Sequence, residues 1–157
     1  MRAHSHLLAA LLIATSAAVA QCQFSSVPVV TYGQGCSAVF GNNPTLAFQL
    51  DTAACSLGVG VQAFQGCCNT YRLGVLLALG DQAAAIPVPQ LGPNCDLLTS
   101  STVTLWLPGP QGTTFWLALP PGLSSVTLFA QGGALYFTTI GLSYDFALTA
   151  GTQFSLQ

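Results

Sequence analysis

Six cysteines, Cys22, Cys36, Cys55, Cys67, Cys68 and Cys95, are the residues of this sequence with the widest choice of chemistry: metal binding, redox exchange or structural pairing. Zinc sites ask for Cys-x-x-Cys pairs or histidines at set spacings. Here the closest cysteines, Cys67 and Cys68, are directly adjacent, and both histidines, His4 and His6, stand at the extreme start of the chain. Structural disulfides therefore outweigh a metal site, and no metal is assigned. Six cysteines admit many pairings, and spacing alone does not choose among them.

Hydrolytic chemistry has little to work with. Beyond residue 20 the chain holds no histidine, lysine or glutamate, so a serine or cysteine nucleophile would lack the neighbouring base it needs. Leu50-Asp51-Thr52-Ala53 loosely matches the aspartic-protease loop, yet Ala53 replaces the glycine and no second copy follows. Asp51 is better explained as a strand-end residue capping a turn. Asp51, Asp81, Asp96 and Asp145 supply the carboxylates a glycosidase would need, but none sits in a recognisable motif. The same scarcity speaks against calcium, which wants several oxygen ligands in one loop. Gly58-Val59-Gly60 lacks the rest of a phosphate-binding fingerprint and reads as a strand glycine pair. No catalytic residue and no cofactor is assigned, and the expectation is a protein that is not an enzyme.

The positive signal is aromatic. Trp106, Trp116 and Phe129 fall on the face opposite the aliphatic side of their segments, a placement that could stack a sugar or receive a partner protein. Burial under a second layer of the same domain is the preferred explanation for them, with a ligand platform as the competing one.

Composition narrows the setting. The chain is 52% hydrophobic and only 4% charged, with a formal net charge of -2, so it has no basic patch for phosphates and nucleic acid is not an expected partner. Arg2, the apolar run Leu7 to Ala14 and Ala18-Val19-Ala20 have the order of a secretory signal peptide, which predicts residues 1–20 as a targeting segment cleaved before Gln21. Gln21 before Cys22 is not the small residue a lipid-attachment site requires. A membrane span needs about 18 or more apolar residues, and the longest later run, Leu73 to Leu79, is far shorter, so no transmembrane anchor is expected. The predicted location is secreted, extracellular or periplasmic, where disulfides form by default.

These residues must be positioned by strands. After a leader at 21–31, residues 32–157 alternate short apolar runs with turn residues, which predicts one all-β domain of about eight or nine strands. Leu46, Phe48 and Leu50 share one parity against Ala47, Gln49 and Asp51, as in a strand with one face on a core. Arg72 to Leu79 is apolar on both parities and belongs at a sheet centre, whereas Pro87 and Pro89 place the next segment at an edge. Val103, Leu105 and Leu107, then Pro108-Gly109-Pro110-Gln111-Gly112, then Phe115, Leu117 and Leu119 predict a hairpin with Trp106 and Trp116 as neighbours on its other face. The expected architecture is a disulfide-stabilised antiparallel β-sandwich, jelly-roll-like or Ig-like, with a closed barrel second.

Three motifs, Tyr32-Gly33-Gln34-Gly35-Cys36, Gly92-Pro93-Asn94-Cys95-Asp96-Leu97 and Leu128-Phe129-Ala130-Gln131, occur in this order. In them the chain resembles a group of small secreted β-rich proteins of planctomycete-type bacteria. The resemblance runs from Tyr32 to the end and implies a secreted domain of unknown function, with no catalytic residues to carry over. It also implies a Cys36–Cys95 disulfide, since both cysteines stand in the shared motifs. Cys22, Cys55, Cys67 and Cys68 are departures from the group's pattern, as is the lack of its asparagine-glycine closing turn. Because adjacent cysteines rarely bond each other, Cys67 and Cys68 are expected to point apart and to take partners from Cys22 and Cys55. The functional expectation is a non-catalytic structural or interaction module that meets an extracellular protein or glycan, with a carbohydrate-binding module as the alternative.

Overall fold

Alternation of large apolar with small or polar residues, interrupted by glycine, proline and asparagine, makes this chain into strands. The computed structural model describes residues 22–37, 43–92, 94–109, 113–123 and 125–157. The expected targeting segment 1–20, Pro93 of the second motif and the middle of the turn at 108–112 lie outside the described residues.

Twelve strands are present among the described residues: β1 (Val29–Tyr32), β2 (Cys36–Ser37), β3 (Thr45–Asp51), β4 (Ser56–Gln62), β5 (Thr70–Gly80), β6 (Ala83–Pro87), β7 (Asp96–Thr99), β8 (Val103–Pro108), β9 (Thr114–Ala118), β10 (Val126–Thr138), β11 (Ser143–Leu148) and β12 (Gly151–Leu156). One 3₁₀ turn, Pro89–Leu91, joins β6 to β7. The strand number exceeds the expected eight or nine mainly through short β1 and β2, which apolar patterning hardly marks. All pairings are antiparallel.

The long strand β10 is the axis of a seven-stranded sheet: β11 and β12 follow each other along one of its edges, and β5 and then β8 lie along the other. The short strands β1 and β2 pair with β12 and β11. A three-stranded sheet, β3-β4-β9, packs over the inner face, and the β6–β7 pair forms a two-stranded sheet. The core holds Leu57, Val59 and Val61 of β4 and Phe115 of β9 against Val75, Leu77 and Leu79 of β5 and Phe154 and Leu156 of β12, all buried. This is an all-β antiparallel sandwich held by disulfides.

The predicted β8–β9 hairpin does not form. β8 pairs with β5 in the large sheet and β9 pairs with β4 in the small one, so the connection between them crosses from sheet to sheet. Each end is tied to its own layer: Gly109 N–H donates to Leu73 O at 2.6 Å, and Val61 N–H to Thr113 O at 2.7 Å. Apolar parity is the same for a hairpin and for an arch whose strands face each other across the core, which is why the pattern misled.

A second irregularity sets which side chains reach solvent. Leu135 opposes Gly74 and Tyr136 opposes Arg72, leaving Leu73 as an extra residue in β5. This bulge inverts the parity of the strand's first turn. Arg72 is thereby turned inward beside Tyr136, while Tyr71 is turned out.

Candidate functional site

The three motifs meet on the outer face of the large sheet. Cys36 of β2 bonds Cys95 at the entry to β7, a separation of 59 residues along the chain. Gln131 is fully buried, and its side chain is the principal polar link between β10 and the β6–β7 pair. Its Oε1 accepts from Leu98 N–H at 2.8 Å, and its Nε2 donates to Asp96 O at 3.1 Å and Thr149 O at 3.0 Å. The Tyr32 hydroxyl donates to Leu98 O, and its ring stands edge-on to Phe129 at 6.0 Å. Burial raises the Tyr32 phenol above its ordinary value.

The motif glycines serve this contact. Gly33 has a φ of 62°, and a Cβ there would come within 2.8 Å of the Leu98 side chain. A Cβ on Gly35 would strike Leu148 O and the Thr149 backbone. The motif residues thus form a clasp that covers one half of the outer face.

The three aromatic residues singled out from the sequence are not brought together. Trp106 lies on the outer face of the large sheet and Trp116 on that of the small sheet, so they are not hairpin neighbours. Nor does a second layer bury them, for they are 45% and 53% exposed. Each indole uses a glycine of the adjacent strand as its seat: Trp116 stands 3.0 Å from the position of a Cβ on Gly58, and Trp106 would collide with a Cβ on Gly74. Phe129 is half-buried in the clasp against Tyr32.

A different aromatic set occupies the uncovered half of the outer face. Tyr144 of β11 opposes Phe137 of β10, and Phe137 opposes Tyr71 of β5, so three rings stand in one row across three neighbouring strands. Phe137 and Tyr144 have ring centroids 5.1 Å apart. Tyr71 is 56% and Tyr144 68% exposed. Sequence reasoning missed this row because it depends on cross-strand register and on the Leu73 bulge. The available signal was Tyr144 at the start of a strand beside an aromatic-rich β10.

The aspartates are locally engaged. Asp51 Oδ1 accepts from the backbone N–H of Ala53 and of Ala54, both at 2.9 Å, which is the turn cap expected of it. Asp81 accepts from Ser100 Oγ at 3.0 Å, and Asp145 Oδ2 from Thr138 Oγ1 at 3.4 Å. Arg72, the only lysine or arginine among the described residues, is buried and donates to Ala63 O at 3.2 Å. Burial raises the Tyr136 phenol, and the nearby Arg72 partly offsets that rise. No group of three or more metal-ligating side chains occurs among the described residues.

The remaining cysteines correct the sequence expectation. Cys22 bonds Cys55, which leaves Cys67 and Cys68 as exposed free thiols. Neither takes a partner from Cys22 or Cys55, and the neighbouring Cys68 side chain raises the Cys67 thiol above its ordinary value. No helix among the described residues is long and apolar enough to cross a membrane. Comparison with protein-family models, curated proteins and solved structures gives no significant match.

Proposed function

We propose that this protein is a secreted, non-catalytic interaction module of the group its three motifs resemble, with residues 1–20 acting as its signal peptide. Its contact surface is the uncovered half of the large sheet's outer face. The observation that carries this reading is the in-register row Tyr71, Phe137 and Tyr144, in which two exposed phenol rings flank a half-buried one on a sheet whose other half is clasped shut. Exposed aromatic groups with a polar edge suit contact with surfaces that are part apolar and part hydroxylated. With Arg72 buried, the described surface offers no side-chain cation, which favours an uncharged partner over a phosphate-rich one.

A neutral carbohydrate is the second reading, favoured by the phenol hydroxyls that Tyr71 and Tyr144 carry beside their exposed rings. A glycan array and sedimentation velocity, each run on the wild type and on the Tyr71→Ser/Tyr144→Ser double variant, test both readings. Glycan binding or self-association that the double substitution removes supports the assigned face, and glycan binding selects the second reading. Binding or self-association that survives the substitution places the contact elsewhere and overturns the assignment.

A further inference from the structure

Cys67 and Cys68 sit in a tight turn whose frame is fixed at both ends. Thr70 N–H donates to Cys67 O at 2.9 Å, and the central residues Cys68 and Asn69 have φ of 53° and 84°, as in a type I′ turn. The Asn69 carbonyl accepts from Thr139 N–H at 2.8 Å and from Thr139 Oγ1 at 3.3 Å, which docks the turn on the β10–β11 connection. Gly66, at φ 102°, closes the approach so tightly that a Cβ there would strike Thr70 O. Two exposed thiols are therefore carried on consecutive residues of a fixed turn, in a chain whose other four cysteines pair among themselves.

We propose that Cys67 and Cys68 are a reversible vicinal thiol–disulfide couple, oxidised and reduced by small disulfides and thiols from solution. One cysteine, as thiolate, attacks a sulfur of a low-molecular-weight disulfide, forms a mixed disulfide and expels one small thiolate, which takes up a proton. The neighbouring thiolate then attacks the protein sulfur of that mixed disulfide and expels the second small thiolate. The protein pair loses two electrons and two protons, and one small disulfide becomes two small thiols. Adjacent Cα atoms lie about 3.8 Å apart across a trans peptide, closer than the roughly 4.4–6.8 Å of ordinary disulfides. The resulting bond is therefore strained and readily reopened, unlike the two disulfides of the same chain that link residues 33 and 59 positions apart.

The test uses the full chain with its other disulfides intact, treated with oxidised glutathione, blocked with N-ethylmaleimide and measured by intact mass and peptide mapping. The expected product is a monomer that has lost two hydrogens, carries no glutathione and takes up no maleimide. Mild thiol should then restore two reactive groups while Cys36–Cys95 and Cys22–Cys55 stay closed. Cys67→Ser and Cys68→Ser, both on the surface, should each accumulate one stable glutathione adduct because the resolving sulfur is gone. Stable adducts on the wild type, a disulfide-linked dimer, or single variants that acquire no adduct would each overturn the proposal.

Discussion

The outer face of the large sheet is one continuous surface with two unlike halves. Around Gln131, β10 is covered by the β6–β7 pair and has its polar groups satisfied; around half-buried Phe137 the neighbouring strands present Tyr71 and Tyr144 to solvent. Hydrophobicity does not separate the halves, since both are rich in aromatic and aliphatic residues. What separates them is a buried amide that supplies one acceptor and two donor bonds to backbone groups, together with a covalent link at the hairpin's entry. Cover is specified by hydrogen-bond satisfaction, because a buried backbone group without a partner costs far more than a paired one gains.

The largest effect should come from opening the link. In the chain-entropy treatment, a bridge spanning 59 residues contributes about 4 kcal/mol. Replacing Cys36 and Cys95 together with serine should therefore lower the free energy of urea unfolding by about 4 kcal/mol. Gln131→Leu keeps the bulk but strands Leu98 N–H, Asp96 O and Thr149 O, and it should cost about 3 kcal/mol in the same measurement. If Gln131→Leu were neutral, the two halves would not differ in the way described.

Tyr32→Phe removes the hydroxyl donated to Leu98 O and should cost about 1 kcal/mol near neutral pH. The pH dependence has a definite sign. The native phenol is raised above its ordinary 10.0, so its contribution is fully present below about pH 10 and declines as pH rises through the higher native value. Alkaline unfolding curves should consequently lose part of their pH dependence in Tyr32→Phe, with Tyr136 and Cys67 contributing to what remains. On the uncovered half, Tyr71→Ser and Tyr144→Ser should each change stability by less than about 0.5 kcal/mol, while removing whatever contact the wild type makes there. Cooperative destabilisation by either would make the aromatic row part of the fold instead.

Much of this architecture was legible in the residues. The parity of Leu46, Phe48 and Leu50, of Leu105 and Leu107, and of Phe115 and Leu117 points each strand's correct face to the core. Pro87 and Pro89 mark the edge character of the β6 segment. The Cys36–Cys95 bond follows the motif resemblance. What was hidden is what one-dimensional patterning does not carry. Parity cannot tell a hairpin from an arch, so Trp106 and Trp116 were placed together although their strands belong to different sheets. A single extra residue, Leu73, exchanges the sides of Tyr71 and Arg72, and the aromatic row exists only after that exchange. Gln131 looks like any surface glutamine until three backbone partners converge on it. Adjacency suggested that Cys67 and Cys68 take Cys22 and Cys55 as partners, yet those two bond each other and leave the turn's thiols free.

Native-state hydrogen exchange at the Leu98 amide tests the division of the sheet most directly, because that N–H donates to Gln131 Oε1 and not to a neighbouring strand of a ladder. The expected result is wild-type protection comparable to the β5–β10 ladder, falling to turn-like exchange in Gln131→Leu while the ladder itself stays protected. Fast exchange of Leu98 in the wild type, or protection unchanged by the substitution, would contradict the clasp.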